Sequence, residues 1–163
     1  MQPELRKWLL LSGIVIVLDQ LTKWLIDSYF KVGEGMRITS FFDLVYVFNP
    51  GAAFSFLAQA GGWQRWFFVG LALVISTWLV FMLRQHAQDR LMSCGIALVL
   101  GGALGNVIDR FVYGAVLDFL SFHVAGFYWP AFNVADSAIC VGVALMLWHQ
   151  FFSGADHERT GQA

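Results

Sequence analysis

Four long apolar stretches constrain this chain more than any other feature. They cover residues 8–26, 66–83, 91–108 and 137–152. A helix needs about 20 mostly apolar residues to cross the hydrocarbon core of a bilayer, and each stretch comes close to that length. The composition agrees, since 58% of the 163 residues are hydrophobic and 13% are charged. We therefore predict a membrane all-α protein, a single polytopic domain over residues 1–163 with four transmembrane helices.

The first stretch also has the features of a cleavable signal peptide. Arg6 and Lys7 precede the apolar run WLLLSGIVIVL, as in a basic region followed by an apolar one. However, Asp19, Gln20 and Lys23 follow the run, and no small-residue cleavage pattern is found there. We interpret the stretch as an uncleaved first span.

Charge does not orient the chain. Four spans place both termini on one side, and the basic residues divide equally between the two sides, so the positive-inside rule is undecided. The net charge is -1, and no block of like charges occurs. We therefore expect no nucleic acid partner.

The two long connections fall on the side opposite the termini. Residues 37–49 and 115–124 are rich in β-branched and aromatic types, which predicts short strands on the outer surface. Asn49–Pro50–Gly51 has Pro and Gly where a type II turn requires them. The following AAFSFLAQAGG predicts a short interfacial helix, with Phe54, Phe56 and Leu57 facing lipid.

Two acids lie at the outer lipid–water boundary in this arrangement. Asp136 stands at the mouth of the fourth span, and Asp118 lies in the preceding loop. Asp136 could simply be an N-cap, and Asp118 an ordinary loop carboxylate. If a poorly hydrated cleft brought the two together, they would share one proton, as in aspartic proteases.

Other polar residues fall at the same level. Asp19 and Lys23 have the i, i+4 spacing of a helical ion pair, which could serve only to make the charges tolerable in the span. Asn106, Asp109 and Arg110 share one face of the third span. Below them a small-residue stripe predicts close approach of another helix. Its members are Ala97, Gly101 and Gly105.

Several motifs together carry a family resemblance. They are GGALGNVIDR at 101–110, VLDF at 116–119, FNVADS at 132–137 and NPGAAF at 49–54, with Asp19 and Lys23 in the first span. In this order, with four spans, they closely resemble the lipoprotein signal peptidases (signal peptidase II) of bacteria, over nearly the whole chain. The resemblance implies an intramembrane aspartyl endopeptidase that cleaves prolipoproteins N-terminal to a diacylglyceryl-modified cysteine.

The resemblance also implies the site residues. Asp118 and Asp136 would be the catalytic pair, with no metal and no cofactor. The supporting and substrate-binding residues would be Asp19, Lys23, Asn49, Gly51, Asn106, Arg110, Asn133 and Ala135.

Partners and location follow from the same resemblance. We expect diacylglyceryl-modified prolipoproteins as substrates, contact with membrane lipid, and globomycin-like cyclic peptide antibiotics as inhibitors of a monomer. The expected location is the bacterial cytoplasmic (inner) membrane, with both termini cytoplasmic and the active site at the outer leaflet.

Other functions compete with this one. A proton-coupled transporter would need acids across the bilayer, whereas these cluster at one face. A Ser–Lys protease could use Lys23 with Ser28, Ser121 or Ser137, and a non-catalytic assembly factor would not need the aspartates. The histidines show no metal-ligand spacing. Cys94 and Cys140 lie at different depths, which predicts two free, buried thiols.

Overall fold

The computed structural model of the protein describes residues 3–51 and 61–160, with side chains up to residue 152. In this part of the chain, four helices are long and apolar enough to cross a membrane. They are α1 (Pro3–Tyr29), α2 (Gln64–Gln85), α3 (Arg90–Val112) and α4 (Val134–Thr160). The four predicted spans are therefore confirmed. The apolar segment of α4 covers Val134–Phe152 among the residues whose side chains are described.

Each helix extends past its predicted bounds. Backbone hydrogen bonding continues into polar flanks, which an apolar window excludes. The polar flank at the start of α1 contains Glu4 and Lys7, whose side chains are joined by a hydrogen bond from Lys7 Nζ to Glu4 Oε1 at 2.7 Å. Similarly, α4 begins at Val134 rather than at residue 137, so Asp136 lies inside its first turn.

A small antiparallel sheet covers one end of the bundle. Its strands are β1 (Gly35–Arg37), β2 (Phe42–Asn49), β3 (Val116–Val124) and β4 (Phe127–Tyr128), which pair in that order. The strands predicted in both connections are thus confirmed, although the first connection divides into two strands. The predicted interfacial helix, with Phe54, Phe56 and Leu57, falls on residues 52–60, which lie outside the described residues.

The sheet packs against the C-terminal end of α1. Ile26 packs against Tyr46, Leu117 and Phe119 in one apolar cluster. The Tyr46 hydroxyl also donates a hydrogen bond to the Asp27 carboxylate. Burial, followed by this contact with Asp27, raises the pKa of Tyr46 above its ordinary value. A packed ring and a hydrogen bond to the Asp27 side chain therefore hold β2 on the helix.

The register of the sheet changes next to the proposed catalytic strand. Val47 of β2 pairs with Asp118 of β3, and a bulge separates Leu44 from Val47. Bulges re-aim side chains and are frequent beside active sites.

Helix α3 lies at the centre of the bundle and contacts the other three helices. A Cβ on Gly101 would lie 2.7 Å from Val15 Cβ of α1, so the predicted small-residue stripe is confirmed as a helix contact. A second row, which the sequence analysis missed, faces α4. There a Cβ on Gly142 would lie 2.6 Å from the carbonyl oxygen of Gly95. Helices α1 and α4 therefore both approach the backbone of α3 closely.

The outer surfaces of α1, α2 and α4 expose large apolar side chains, as expected for residues in contact with lipid. Both cysteines are free, as predicted. The prediction that both are buried in the protein is wrong, because Cys140 is exposed on α4 and Cys94 is partly exposed. The sequence indicated their depth in the membrane but not the helix face on which they lie.

Replacement of Gly142 by alanine should destabilise the bundle. The added methyl group would meet the Gly95 carbonyl oxygen at 2.6 Å and the Val99 Cγ2 at 2.7 Å. Overpacking of this kind costs about 1–3 kcal/mol, so we expect a lower melting temperature in detergent. Gly70→Ala in α2 is the matched control, since nothing lies within 4 Å of its added methyl group. The control should be neutral or stabilised by up to about 1 kcal/mol. Equal melting temperatures for the two variants would contradict the close α3–α4 contact.

Candidate active site

Polar side chains from five elements meet where the sheet joins the bundle. Helix α1 contributes Asp19 and Lys23, β2 contributes Asn49, and β3 contributes Asp118. The remaining members are Asn106, Asp109 and Arg110 of α3 and Asn133 and Asp136 at the start of α4. All of them are buried or half-buried, which requires each polar group to have partners.

The first turn of α4 is closed by a reciprocal capping pair. The Asn133 side-chain oxygen accepts from the Asp136 backbone N–H at 2.9 Å, and Asp136 Oδ2 accepts from the Asn133 backbone N–H at 3.3 Å. Asn133 is therefore the N-cap and Asp136 occupies the third helical position, as in a capping box. The interpretation of Asp136 as the N-cap is wrong, because the helix begins earlier than its apolar run.

The second oxygen of Asp136 faces α3. The side-chain amide of Asn106 donates to Asp136 Oδ1 at 2.8 Å. Both carboxylate oxygens thus accept from uncharged donors, one on α3 and the other at the start of α4. This fixes the direction in which the carboxylate points.

Asp118 is held by two amide side chains. The Asn133 amide donates to Oδ1 at 2.7 Å, and the Asn49 amide donates to Oδ2 at 3.3 Å. Burial, and then the negative charge of Asp136, raise the pKa of Asp118 to about 7. The two amide hydrogen bonds and the charge of Lys23 oppose this rise without cancelling it. Asp118 can therefore gain or lose a proton near neutral pH.

Asn133 connects the two acids. Its side-chain oxygen accepts from the Asp136 backbone N–H. Its amide nitrogen contacts three oxygens, namely Asp118 Oδ1, the Leu117 carbonyl oxygen at 3.2 Å and Asn106 Oδ1 at 3.4 Å. The side chain is fully buried. A single residue thus sets the relative position of two carboxylates that belong to different elements.

Lys23 is surrounded by acceptors beneath the acids. Its ammonium group lies 2.8 Å from Asp19 Oδ2, 2.7 Å from Asp109 Oδ2 and 3.2 Å from Asn106 Oδ1. Its side chain is 3% exposed. Asp19 Oδ1 accepts the backbone N–H of Ala135 at 2.9 Å, which joins this cluster to α4.

Two members of the site were missed as site residues. Asp109 pairs with Lys23 and also accepts the Leu117 backbone N–H, while Gln20 donates to Asp109 Oδ1 at 2.8 Å. The shared helix face of Asn106, Asp109 and Arg110 was a signal for Asp109. No spacing in the sequence indicates the bond from Gln20, because its partner lies on another helix.

Arg110 reaches across the site to the end of β2. Its guanidinium donates to the Gly51 carbonyl oxygen at 3.0 Å and to the Asn106 carbonyl oxygen at 3.2 Å. The Asn49 side-chain oxygen in turn accepts a hydrogen bond from the Gly51 backbone N–H at 3.0 Å. This Asn49–Gly51 contact is an Asx-type turn. The predicted type II turn extends to residue 52, outside the described residues.

The structure therefore brings all ten residues assigned through the resemblance into one network. The competing serine arrangement has less support from the geometry. The Ser28 hydroxyl donates to the Trp24 carbonyl oxygen, and the Ser137 hydroxyl donates to the Asn133 carbonyl oxygen. The Lys23 ammonium group instead contacts two acids and an amide.

Histidines lie away from this network. His123 contacts Asp43 at 3.2 Å, and His149 contacts Asp89 at 2.5 Å. Across residues 3–51 and 61–152, no group of three or more His, Cys, Asp or Glu side chains is arranged to hold a metal ion.

The chain is similar to known proteins in family, sequence and structure. The family model described as signal peptidase (SPase) II matches residues 11–152. The lipoprotein signal peptidase of Azoarcus sp. (strain BH72) is 54% identical, over 94% of this chain and 88% of the relative. That of Ralstonia nicotianae is 57% identical, over 86% and 81% respectively.

A solved structure agrees with the sequence relatives. A bacterial membrane enzyme determined by the in meso method at 2.3 Å resolution superposes with a TM-score of 0.83. It is 30% identical and covers 92% of this chain and 90% of its own. Together with the four apolar helices, these similarities show a multi-pass membrane peptidase, and the chain belongs to the signal peptidase II family of lipoprotein signal peptidases.

Proposed function

We propose that this peptidase is an aspartic endopeptidase with Asp118 and Asp136 as its catalytic pair. In this proposal it cleaves prolipoproteins, the substrates of its family, N-terminal to the diacylglyceryl-modified cysteine. The observation that carries the proposal is the link through Asn133 between the buried carboxylate of Asp118, whose pKa is raised to about 7, and the half-buried carboxylate of Asp136. Two such acids hold one proton between them near neutral pH.

One shared proton supports both halves of peptide hydrolysis. The ionised carboxylate removes a proton from water as the water oxygen attacks the scissile carbonyl carbon, and the protonated carboxyl donates to the carbonyl oxygen. In the collapse of the tetrahedral intermediate, one carboxyl gives its proton to the leaving nitrogen as the C–N bond breaks. The other takes a proton from a hydroxyl of the intermediate. The pair therefore ends with one proton, as it began.

The other residues assigned through the resemblance would hold this pair in place. Asn49, Asn106 and Asn133 donate to the carboxylates without adding charge. Arg110 holds Gly51 at the edge of the site, and Lys23 with Asp19 forms its floor. Preorganised donors of this kind lower the cost of reorganisation during the reaction.

Substrate binding would use the lipid-facing surface. The two acyl chains of the modified cysteine would remain in the bilayer while the peptide enters between helices, so their binding energy could position the scissile bond. A single chain supplies all ten residues, which supports a monomer. Globomycin-like cyclic peptides would inhibit the enzyme by blocking access of the substrate peptide to the catalytic pair.

Replacement of either aspartate by asparagine tests the catalytic pair. Asparagine cannot act as a base or hold the shared proton, so Asp118→Asn and Asp136→Asn should each reduce kcat by orders of magnitude. The double variant should be hardly worse, because the two residues act as one unit. Cleavage should be measured with purified protein on lipidated and unlipidated prolipoprotein, and the parent should release signal peptide only from the lipidated form.

A triple Ser28→Ala, Ser121→Ala, Ser137→Ala variant is the control for the serine mechanism and should retain most activity. Melting temperatures in detergent must accompany these assays, because the side-chain amide introduced by Asp136→Asn would face the donating amide of Asn106. A folded aspartate variant that cleaves at the parent rate would refute the catalytic pair, and loss of activity in the serine variant would favour a Ser–Lys protease.

The raised pKa of Asp118 predicts how stability depends on pH. The folded state binds this proton more tightly than the unfolded state, so the contribution of Asp118 to stability is present below pH 4. It is lost as pH rises through about 7, by up to about 4 kcal/mol. Asp118→Asn does not titrate and should lack this loss. The melting temperature of the parent relative to the variant should therefore fall between pH 4 and pH 7 and then level off, whereas parallel curves would contradict the assignment.

We also propose that both termini are cytoplasmic and that the site lies at the outer leaflet of the inner membrane. The exposed aromatic side chains Trp63, Trp66, Tyr128 and Trp129 support an interface at the level of the sheet. Alkaline phosphatase inserted after Gly126 should be active, since it folds only outside the cytoplasm, whereas the same insertion after Gln88 should not. Activity after Gln88 and none after Gly126 would show that the topology is the reverse of the one proposed.

A further inference from the structure

Asp109 makes three contacts that join three elements. Its carboxylate is on α3, and its side chain is 1% exposed. Oδ2 lies 2.7 Å from the Lys23 ammonium and accepts the backbone N–H of Leu117 at 3.0 Å. Oδ1 accepts from the Gln20 side chain at 2.8 Å.

We infer that Asp109 is a positioning residue for Asp118 and acts on it through the peptide N–H of Leu117. The charge of Asp109 also offsets the charge of Lys23 near the catalytic pair. The inference rests on the proposed aspartyl mechanism. Within the described residues, no direct bond joins Asp109 to either catalytic carboxylate, so its effect must pass through the strand and through the electrostatic field.

The positioning effect follows from the backbone of β3. Leu117 immediately precedes Asp118, and its side chain is fully buried. Its N–H is held by Asp109, while its carbonyl oxygen accepts from Asn133, the residue that also holds the Asp118 carboxylate. On the other edge, Asp118 pairs with Val47 of β2. The peptide that leads into Asp118 is therefore held from both edges of the strand.

The charge effect follows from the set of ionised groups near the pair. Helix α1 contributes Asp19 and Lys23, α3 contributes Asp109 and Arg110, and β2 contributes only the uncharged Asn49. Formally, the two acids and two bases cancel, apart from the catalytic pair itself. Removal of the Asp109 charge would leave a net positive charge, which favours ionisation of the pair.

Two substitutions of Asp109 separate these effects. Asp109→Asn keeps an oxygen that can accept the Leu117 N–H but removes the charge, so its bell-shaped pH profile of kcat should move to lower pH by roughly one unit. Asp109→Leu has a similar shape but loses both the charge and the acceptor. Its kcat should be about 10- to 100-fold below that of Asp109→Asn, with KM within about threefold, because the acid is misplaced rather than the substrate.

A matched control and a second route test the same inference. Asp89→Asn makes the same change at the other end of α3, where Asp89 caps Met92 N–H at 3.0 Å. Asparagine caps equally well, so kcat and the pH profile should not change. Gln20→Met leaves the charge of Asp109 in place but removes its Oδ1 donor, together with the longer contacts of the same amide with Asp19 Oδ2 at 3.2 Å and the Gly105 carbonyl oxygen at 3.3 Å. It should lower kcat several-fold with no shift of the profile.

An unshifted pH profile in Asp109→Asn would overturn the charge effect, and equal kcat in the two Asp109 variants would overturn the positioning effect. If melting curves show that the Asp109 variants do not fold, Gln20→Met decides, and parental kcat there would overturn the inference. Asp118→Asn assayed in parallel separates this result from failure of the proposed function. An inactive Asp118→Asn leaves the aspartyl mechanism standing, whereas an active one refutes it.

Discussion

The buried ammonium group of Lys23 organises the half of the molecule where the sheet joins the bundle. A charge with a 3% exposed side chain is tolerable only if paired, and here two carboxylates and an amide oxygen surround it. Each of the two acids has a further contact, Asp19 with the backbone of α4 and Asp109 with the backbone of β3. Removal of this one cation would leave two buried carboxylates without the cation that they contact, and would weaken the contacts among α1, α3, β3 and α4 together.

The candidate catalytic acids lie on this framework in a different electrostatic setting. Neither carboxylate makes a direct ion pair in the described part of the chain. Instead, three asparagine side chains and the backbone N–H of Asn133 donate to them. Amide donors fix geometry while leaving the carboxylates able to change protonation, whereas an adjacent cation would hold them ionised. This division between charged groups around Lys23 and neutral amides around the acids explains how a buried ionic network can border Asp118, whose pKa is raised to about 7 by burial and by the charge of Asp136.

The sequence was most informative where a single element carried the pattern. Apolar length alone predicted four helices, and helical spacing grouped Asn106, Asp109 and Arg110 on one face. Contacts between different helices and strands were much harder to predict from the sequence. Gly95 of α3 and Gly142 of α4 are far apart in the chain, and only the assembled bundle shows that they touch. The family resemblance named the remaining site residues, but not the contacts between them.

The boundary of α4 illustrates a different limit. An apolar window began the helix at residue 137, which made Asp136 resemble a cap. The true cap is Asn133, because hydrogen bonding to polar side chains starts the helix one turn before its apolar surface does. Hydropathy measures where a helix can contact lipid, and capping chemistry decides where it begins. At a membrane surface these two positions differ by about one turn, which is enough to change the apparent role of a residue.

The bond from Asp19 to the backbone of Ala135 has a consequence for biogenesis. The first turn of α4 leaves N–H groups that its own helix cannot satisfy, and one of them is satisfied by a carboxylate from the other end of the chain. While the chain is being inserted, helix by helix, this donor has no protein acceptor until α4 docks beside α1. The cluster around the two acids is therefore incomplete in every shorter nascent chain. Synthesis of the last span is the event that completes it, because Ala135 and Asp136 both belong to the first turn of α4.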